Sequence, residues 1–349
     1  MRHAVIGVGY GGGVHLPTFT GMPGIEVVAV VDGGSGRAER FARPGLAAYS
    51  DWRRMLDDLK PDSISVAVPP AAQREIVASA IGRGIHVLCE KPLGMDTEDA
   101  AELSRIAEAE AVTAAVCFQY RFEPGMCTLR QHVRSGRLGR LRRIDLAWIT
   151  AGRADPARPW SWQHDARSGG GVINAFLPHA ADLVRWLSGC DALSVTARTA
   201  VLVPHRLDDK GVRWEVTAED AVDALIELDD GAVANIRITN CQWGGDGMHI
   251  EVHGESGLLR FAHRPPFSGD VELQYCGYGA DTEAIDVTRP VAGEGDSRVA
   301  SLRQLAQLFV AAIGGANSPD LPSFRDGEHN QRLLAAVRRS AAARGFVTV

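Results

Sequence analysis

Ala4-Val5-Ile6-Gly7-Val8-Gly9-Tyr10-Gly11-Gly12 is the stretch on which the fold turns. An apolar run of strand length leads into Gly7-x-Gly9-x-x-Gly12. Glycines at this spacing permit a tight turn, let backbone N–H groups approach a pyrophosphate, and allow a following helix to pack closely. That helix would turn its positive end toward the phosphates. Glycine-rich turns are common, so context has to carry the reading. Ile25 to Val31 forms a second apolar strand and ends in Asp32, about 20 residues past the last glycine, as a dinucleotide site requires. A carboxylate there accepts from an adenosine ribose diol and repels a 2′-phosphate, although an ordinary turn aspartate fits the same spot. Arg37 lies close enough to blur the preference, so the expected cofactor is NAD, with NADP possible.

Strands and helices then alternate. Ser63 to Val68 is a strand stopped by Pro69-Pro70, and Ala71 to Arg83 reads as a helix. His86-Val87-Leu88-Cys89 is a short buried strand that ends at Glu90-Lys91-Pro92. Asp96/Thr97 resembles an N-cap for a helix reaching Glu110, and Thr113 to Phe118 is a strand ending in Gln119-Tyr120-Arg121. This alternation implies parallel βαβ units, hence a doubly wound α/β Rossmann domain over residues 1–122. In such a sheet the carboxyl ends of the strands face the ligand crevice, which is where Lys91 falls. A lysine beside a glutamate there is a plausible proton shuttle; a surface Lys–Glu pair is the plainer alternative.

From residue 123 the grammar changes. A linking helix (about Pro124 to Ser135) precedes a long strand, Leu141 to Ala151, and an irregular Pro/Trp-rich stretch, Asp155 to Asp165. Gly169-Gly170-Gly171 leads into a helix from Ile173 to Leu187. Several strands follow with few helices between them, then closing helices at Val299 to Ile313 and Gly327 to Ala343. This is the pattern of an α+β domain with a large, mostly antiparallel sheet, assigned to residues 123–349 for substrate binding and oligomerisation. His249, Glu251 and His253 fall on one strand face and superficially resemble a metal cluster. No fourth ligand or supporting shell is local to them, so no metal is expected, and a polar sheet face at an oligomer contact is preferred.

Composition bounds the partners. The 349 residues are 23% charged and 45% apolar with net charge −6 and no basic run, which points away from nucleic acid and anionic membranes. The chain enters a strand at once and has no long apolar run, so neither a secretory signal nor a membrane span is expected. Six scattered cysteines without a CxxC pair suggest buried thiols in a reducing, cytoplasmic setting.

With these pieces placed, the chain resembles the glucose–fructose oxidoreductase/inositol dehydrogenase/MocA family. The likeness runs along the whole chain, through Gly7-x-Gly9-x-x-Gly12 with His15-Leu16-Pro17, Val68-Pro69-Pro70, Glu90-Lys91-Pro92 and Gln119-Tyr120-Arg121-Phe122. It continues in the triple glycine with His179-x-x-Asp182, Glu219-Asp220, Asp229-Asp230-Gly231 and Ser323-Phe324-x-Asp326-Gly327. The resemblance implies a cofactor site at Gly7, Gly9, Tyr10, Gly11, Gly12, Asp32, Arg37, Val68, Pro69, Glu90, Lys91 and Gln119. It also implies a substrate site drawn from Lys91, Tyr120, Arg121, Trp162, Asn174 and His179, with Lys91 and His179 catalytic. The substrate would be a sugar, cyclitol or glycoside, and the assembly a homodimer or homotetramer.

Two positions depart from the family. The aspartate usually found four residues before His179, one helical turn away, is Ala175 here. Asn174 is adjacent but cannot act as a base, so the proton falls to Lys91 and His179. Gln73 stands where many members carry histidine. Other readings stay open at several residues: His179 as a core histidine, Trp160 and Trp162 as packing or as walls for a nicotinamide or sugar face, Arg121 in a structural ion pair. Three functions fit: an oxidoreductase, a redox-neutral enzyme with retained NAD (epimerisation or elimination), and a catalytically silent, cofactor-binding regulatory module.

Overall fold

A computed structural model describes residues 1–265, 271–287, 296 and 298–349. It separates into two compact units, Met1–Phe122 with Val291–Gln331, and Glu123–Pro290 with Arg332–Val349.

The first unit is built on six parallel strands: β1 (Arg2–Ile6), β2 (Glu26–Val31), β3 (Ala47–Tyr49), β4 (Ser63–Val66), β5 (His86–Cys89) and β6 (Ala114–Val116). Their order is β3-β2-β1-β4-β5-β6, with every pairing parallel. The strands read as continuous apolar runs because both faces are covered. On one face Ala4, Ile6, Val66 and Val87 meet the helices Trp52–Leu59, Pro70–Ile81 and Thr97–Ala109. The N-cap of the last is Asp96, whose carboxylate accepts from Asp99 N at 2.9 Å. On the other face Leu88, Ala115 and Cys117 meet Val14 and Phe19.

That second face is completed from far along the chain. Helix Arg298–Ile313 carries Leu302, Leu305, Ala306 and Phe309 at helical spacing, all buried against Val14, Phe19 and Leu88. Each large apolar side chain buried there contributes about 1.5–3 kcal/mol. Pro322 O then accepts from Val116 N at 2.9 Å beside β6. The undivided second domain of 123–349 expected above therefore needs correction: 291–331 belongs to the first unit, because the apolar stripe of this helix finds its partners there.

Strand order reverses between β1 and β4, a topological switch point whose carboxyl ends form the usual ligand crevice of such sheets. The glycine stretch follows β1, Val68-Pro69 follows β4, and Glu90-Lys91-Pro92 follows β5.

The second unit holds a nine-stranded sheet. Its strands are β7 (Leu141–Ile149), β8 (Ala192–Ala200), β11 (Ala221–Leu228), β12 (Val233–Thr239), β13 (Gly247–Gly254), β14 (Gly257–His263), β15 (Val271–Gly277), β16 (Thr282–Ala284) and β17 (Val347–Thr348). β9 (His205–Leu207) and β10 (Arg213–Glu215) form a separate hairpin. The order is β16-β15-β14-β13-β7-β12-β11-β8-β17, with only β7 and β12 parallel. Alternation divides its faces: Ile144, Leu146, Trp148, Ile250 and Val252 are buried. Asp145, His249, Glu251 and His253 lie on the opposite, half-buried face. No helix among the described residues is long and apolar enough to cross a membrane.

Candidate active site

The three glycines of the opening motif have separable jobs. Gly7 has φ +99°, and a Cβ there would lie 2.2 Å from Ala67 O at the end of β4. A Cβ on Gly12 would meet the Phe41 ring at 2.6 Å, whereas Gly9 has open space around it. Tight turn, close packing and open backbone are what a dinucleotide pyrophosphate needs, so the residues present fit NAD. The expected helix is short. A five-residue π-helical segment, Gly11–His15, runs straight into Leu16–Thr20.

Asp32 is buried at the end of β2. Its Oδ1 accepts from Gly34 N at 2.8 Å, and its Oδ2 from Ser35 Oγ at 2.9 Å and Ala38 N at 3.0 Å. The bond from Ala38 N leads in holding this carboxyl below its ordinary range, with those from Gly34 and Ser35 adding to it against the opposing effect of burial. Asp32 thus organises its own turn through Gly34, Ser35 and Ala38, with the Arg37 backbone adding to them. Arg37 is exposed, with Nε donating to Ser35 Oγ at 2.9 Å.

The segment after β5 is pinned from below. Gln73, fully buried on helix Pro70–Ile81, donates through Nε2 to Glu90 O at 3.0 Å and accepts through Oε1 from Gly94 N at 2.9 Å. It also reaches Val68 O at 3.4 Å, while Pro69 caps the helix. Lys91 precedes a cis peptide to Pro92. Burial lowers the Lys91 pKa, and Glu90 and then Cys117 oppose that shift. Tyr10 receives a hydrogen bond from Gln119 Nε2 at 3.1 Å on its hydroxyl, with the Arg298 guanidinium 4.8 Å from its ring centre. Burial first, then Glu90, push the Tyr10 hydroxyl well up. Tyr120 shares the 3₁₀ turn Gln119–Phe122 and is half-buried. Arg121 is buried; it donates to Asp320 O at 3.2 Å and sits 3.8 Å from Asp326, so the ion-pair reading is the one on display.

Two residues beside Lys91 were given no role by the sequence. His15 Nε2 lies 3.1 Å from Glu90 Oε1, and Cys117 is close to both. His15 was visible within the motif, but nothing in the chain's order reveals a partner 75 positions away.

In the second unit the expected continuous helix Ile173–Leu187 is broken. It forms as Val172–Ala175 and Leu177–Ser188, with Phe176 at φ −121° between them. Pro178 has no N–H to continue the first turn, so Ala175 and His179 do not share one helix as the four-residue spacing suggested. His179 is buried, its ring centre 6.5 Å from that of Trp148. Asn174 is engaged locally: Nδ2 donates to Gly169 O at 3.1 Å, and Oδ1 accepts from Arg338 at 2.6 Å. Glu219 Oε1 accepts from Ile173 N at 2.9 Å, and burial raises its carboxyl. Trp162 is 53% exposed, whereas Trp160 stacks on Trp214 with centroids 4.8 Å apart. On the open sheet face, β7 sets Asp145 opposite Glu251, and His253 lies 3.6 Å and 3.3 Å from these two carboxylates. Arg143 and Arg260 pair with the same carboxylates.

Comparison with known proteins adds to this geometry. Residues 1–118 match an oxidoreductase family with an NAD-binding Rossmann fold, and residues 126–260 match the GFO/IDH/MocA C-terminal domain. Inositol 2-dehydrogenase 2 of Saccharopolyspora erythraea is 31% identical over 267 residues, 74% of this chain and 72% of its own. Levoglucosan dehydrogenase of Pseudarthrobacter phenanthrenivorans is 24% identical across 100% of this chain and 98% of its own. Among solved structures, an oxidoreductase domain protein from Kribbella flavida has a TM-score of 0.88 at 25% identity, covering 99% of this chain and 98% of that one. Levoglucosan dehydrogenase in complex with NADH and L-sorbose also reaches 0.88, at 24% identity over 100% and 98%, a likeness of fold.

Proposed function

The chain belongs to the glucose–fructose oxidoreductase/inositol dehydrogenase/MocA family of oxidoreductases, and from that premise we propose that it oxidises a ring hydroxyl, or reduces the matching ketone, of a sugar, cyclitol or glycoside. The observation that carries this reading is Lys91. It stands at the carboxyl end of β5, next in the sheet to the switch-point strand β4, and burial lowers its pKa. Lowering brings the neutral amine, the form able to accept a proton, nearer to working pH.

When bound, the nicotinamide supplies or accepts the hydride. Lys91 takes the hydroxyl proton during oxidation and returns it during reduction, and its ammonium stabilises alkoxide charge in the transition state. His179 is the second polar group offered to the reacting hydroxyl. Backbone at Gly9 and the Asp32 carboxylate hold the dinucleotide, with the hydrogen-bonded pair Tyr10 and Gln119 completing the cofactor site. Relatives named for inositol and levoglucosan support the substrate class. A homodimer or homotetramer covering the polar sheet face completes the reading, and light scattering tests it.

One observation favours a second reading. Ala175 lacks the carboxylate of ordinary members, as a silent cofactor-binding module would. A screen of inositols, pentoses, hexoses and anhydrosugars with NAD⁺, followed at the nicotinamide absorbance, separates the two. Reduction of NAD⁺ by any of them supports the enzyme; NADH binding without turnover across the panel supports the module.

A further inference from the structure

Tyr10, between Gly9 and Gly11 of the glycine turn, is fixed on three sides. Gln119 Nε2 donates to its hydroxyl at 3.1 Å, and the His15 ring meets it edge-on with centroids 5.7 Å apart. The third side is Arg298, whose guanidinium carbon lies 4.8 Å from the ring centre. Arg298 opens the helix Arg298–Ile313, so the fold brings it to the turn from far along the chain. Its side chain is 46% exposed and is held by Asp296: Nε donates to Oδ1 at 2.8 Å and Nη2 to Oδ2 at 2.5 Å. The backbone N–H of Arg298 donates to the same Oδ1 at 3.0 Å. The side-chain bond to Asp296 leads in raising the Arg298 pKa against the effect of burial, and Tyr10 adds to it, so the guanidinium stays charged.

A dinucleotide brings an anionic diphosphate to such a turn. From Gly7 to Leu16 the chain offers it backbone N–H groups but no lysine or arginine, and the one basic side chain there, His15, is fully buried. Arg298 is the cation that the fold lays against this stretch. A planar fork of N–H donors suits phosphate oxygens as well as it suits a carboxylate. Asp296 takes two of the five donors that a guanidinium carries. We propose that Arg298 is a cofactor-binding residue that supplies positive charge to the diphosphate of the dinucleotide, and that Asp296 competes with the diphosphate for the same guanidinium. The plainer use of the pair, as an ion pair that steadies the start of the helix, is worth little at this exposure. It also makes a different prediction, because loss of either partner would then act in the same direction. The inference rests on the cofactor of the family and not on the chemistry assigned to Lys91.

The test is equilibrium binding to the full-length protein, with NADH and with ADP-ribose, which carries the diphosphate but no nicotinamide. Arg298→Gln should weaken both by about tenfold or more, the usual worth of a charge-assisted hydrogen bond to phosphate, and should make binding less sensitive to salt. Arg298→Lys keeps the charge without the fork and should fall between the two. Asp296→Asn removes the competitor and a repelling charge, so both probes should bind about threefold more tightly. The opposite signs at Arg298 and Asp296 are the signature of the proposal. Unchanged ADP-ribose affinity in Arg298→Gln overturns it, since a role toward nicotinamide or substrate alone would leave that probe untouched. Weaker binding in Asp296→Asn overturns it as well, in favour of the structural pair. Turnover of Lys91 variants bears on the proposed function and leaves this measurement standing.

Discussion

Gln73 Nε2 donates to the carbonyl oxygen of Glu90 at 3.0 Å, and the amide's other end accepts from Gly94 N at 2.9 Å. One buried side chain therefore fixes both ends of the segment that presents Lys91. Family resemblance marked Gln73 as a departure from histidine without saying what it does. Glutamine offers an acceptor and a two-proton donor on one planar group, which suits a span between a carbonyl and an N–H.

Replacing Gln73 with leucine should orphan both backbone groups in a buried place. The expected cost is about 1–3 kcal/mol for each unsatisfied group, with turnover falling more than NADH affinity. Denaturant midpoints and NADH titration check this. Unchanged stability and turnover would show that the clamp does not matter.

The Asp32 turn gives a second expectation. Asp32→Ala removes an acceptor for the ribose diol and the charge that repels a 2′-phosphate, leaving Arg37 nearby. Wild type should bind NADH more tightly than NADPH, and the variant should narrow or invert that preference. Titrating both cofactors decides it; equal or tighter NADPH binding by wild type contradicts it.

A third expectation concerns acid stability in the second unit. His164 accepts from Ser161 N at 2.9 Å, and burial, then Arg206 and Arg153, lower its pKa to about 4 from 6.5. The unfolded chain takes up this proton first as pH falls, so stability is fully present above about 6.5 and is lost down to about 4, by about 1–3 kcal/mol. His164→Asn keeps an acceptor for Ser161 and should flatten that part of the Tm–pH curve. A curve with the wild-type slope would contradict the assignment.

Much of this was legible in the sequence because its causes are local. Period, glycine spacing and proline stops report five of the six strands of the first sheet and the place of Lys91, since each follows from neighbouring residues. The three-residue β3 and the strand order that makes the switch point were not read from them. What the sequence could not show were pairings set by the fold. His15 and Glu90, Gln73 and Gly94, and Asp145 opposite Glu251 are far apart in the chain. Helix Arg298–Ile313 looked like any amphipathic helix, and nothing in its stripe says which core it closes. The break at Phe176 was hidden for another reason: Pro178 fits the first turn of a new helix as well as it interrupts an old one.

The pH dependence of the reaction follows from the lowered pKa of Lys91. Oxidation needs the neutral amine, so its kcat should rise with pH to a plateau whose midpoint lies below the ordinary lysine value of 10.5. Reduction needs the ammonium and should fall across the same midpoint. Parallel profiles in the two directions would be inconsistent with one shared proton.

The most direct test of the central claim is Lys91→Ala, assayed by NADH titration and by turnover of the best substrate from the screen. Cofactor affinity should stay within about tenfold, because the proposed pyrophosphate and ribose contacts are at Gly9 and Asp32, while kcat falls by roughly 10²–10⁴-fold, the usual worth of a positioned acid–base group. A variant that binds NADH normally and turns over at the wild-type rate would contradict the account.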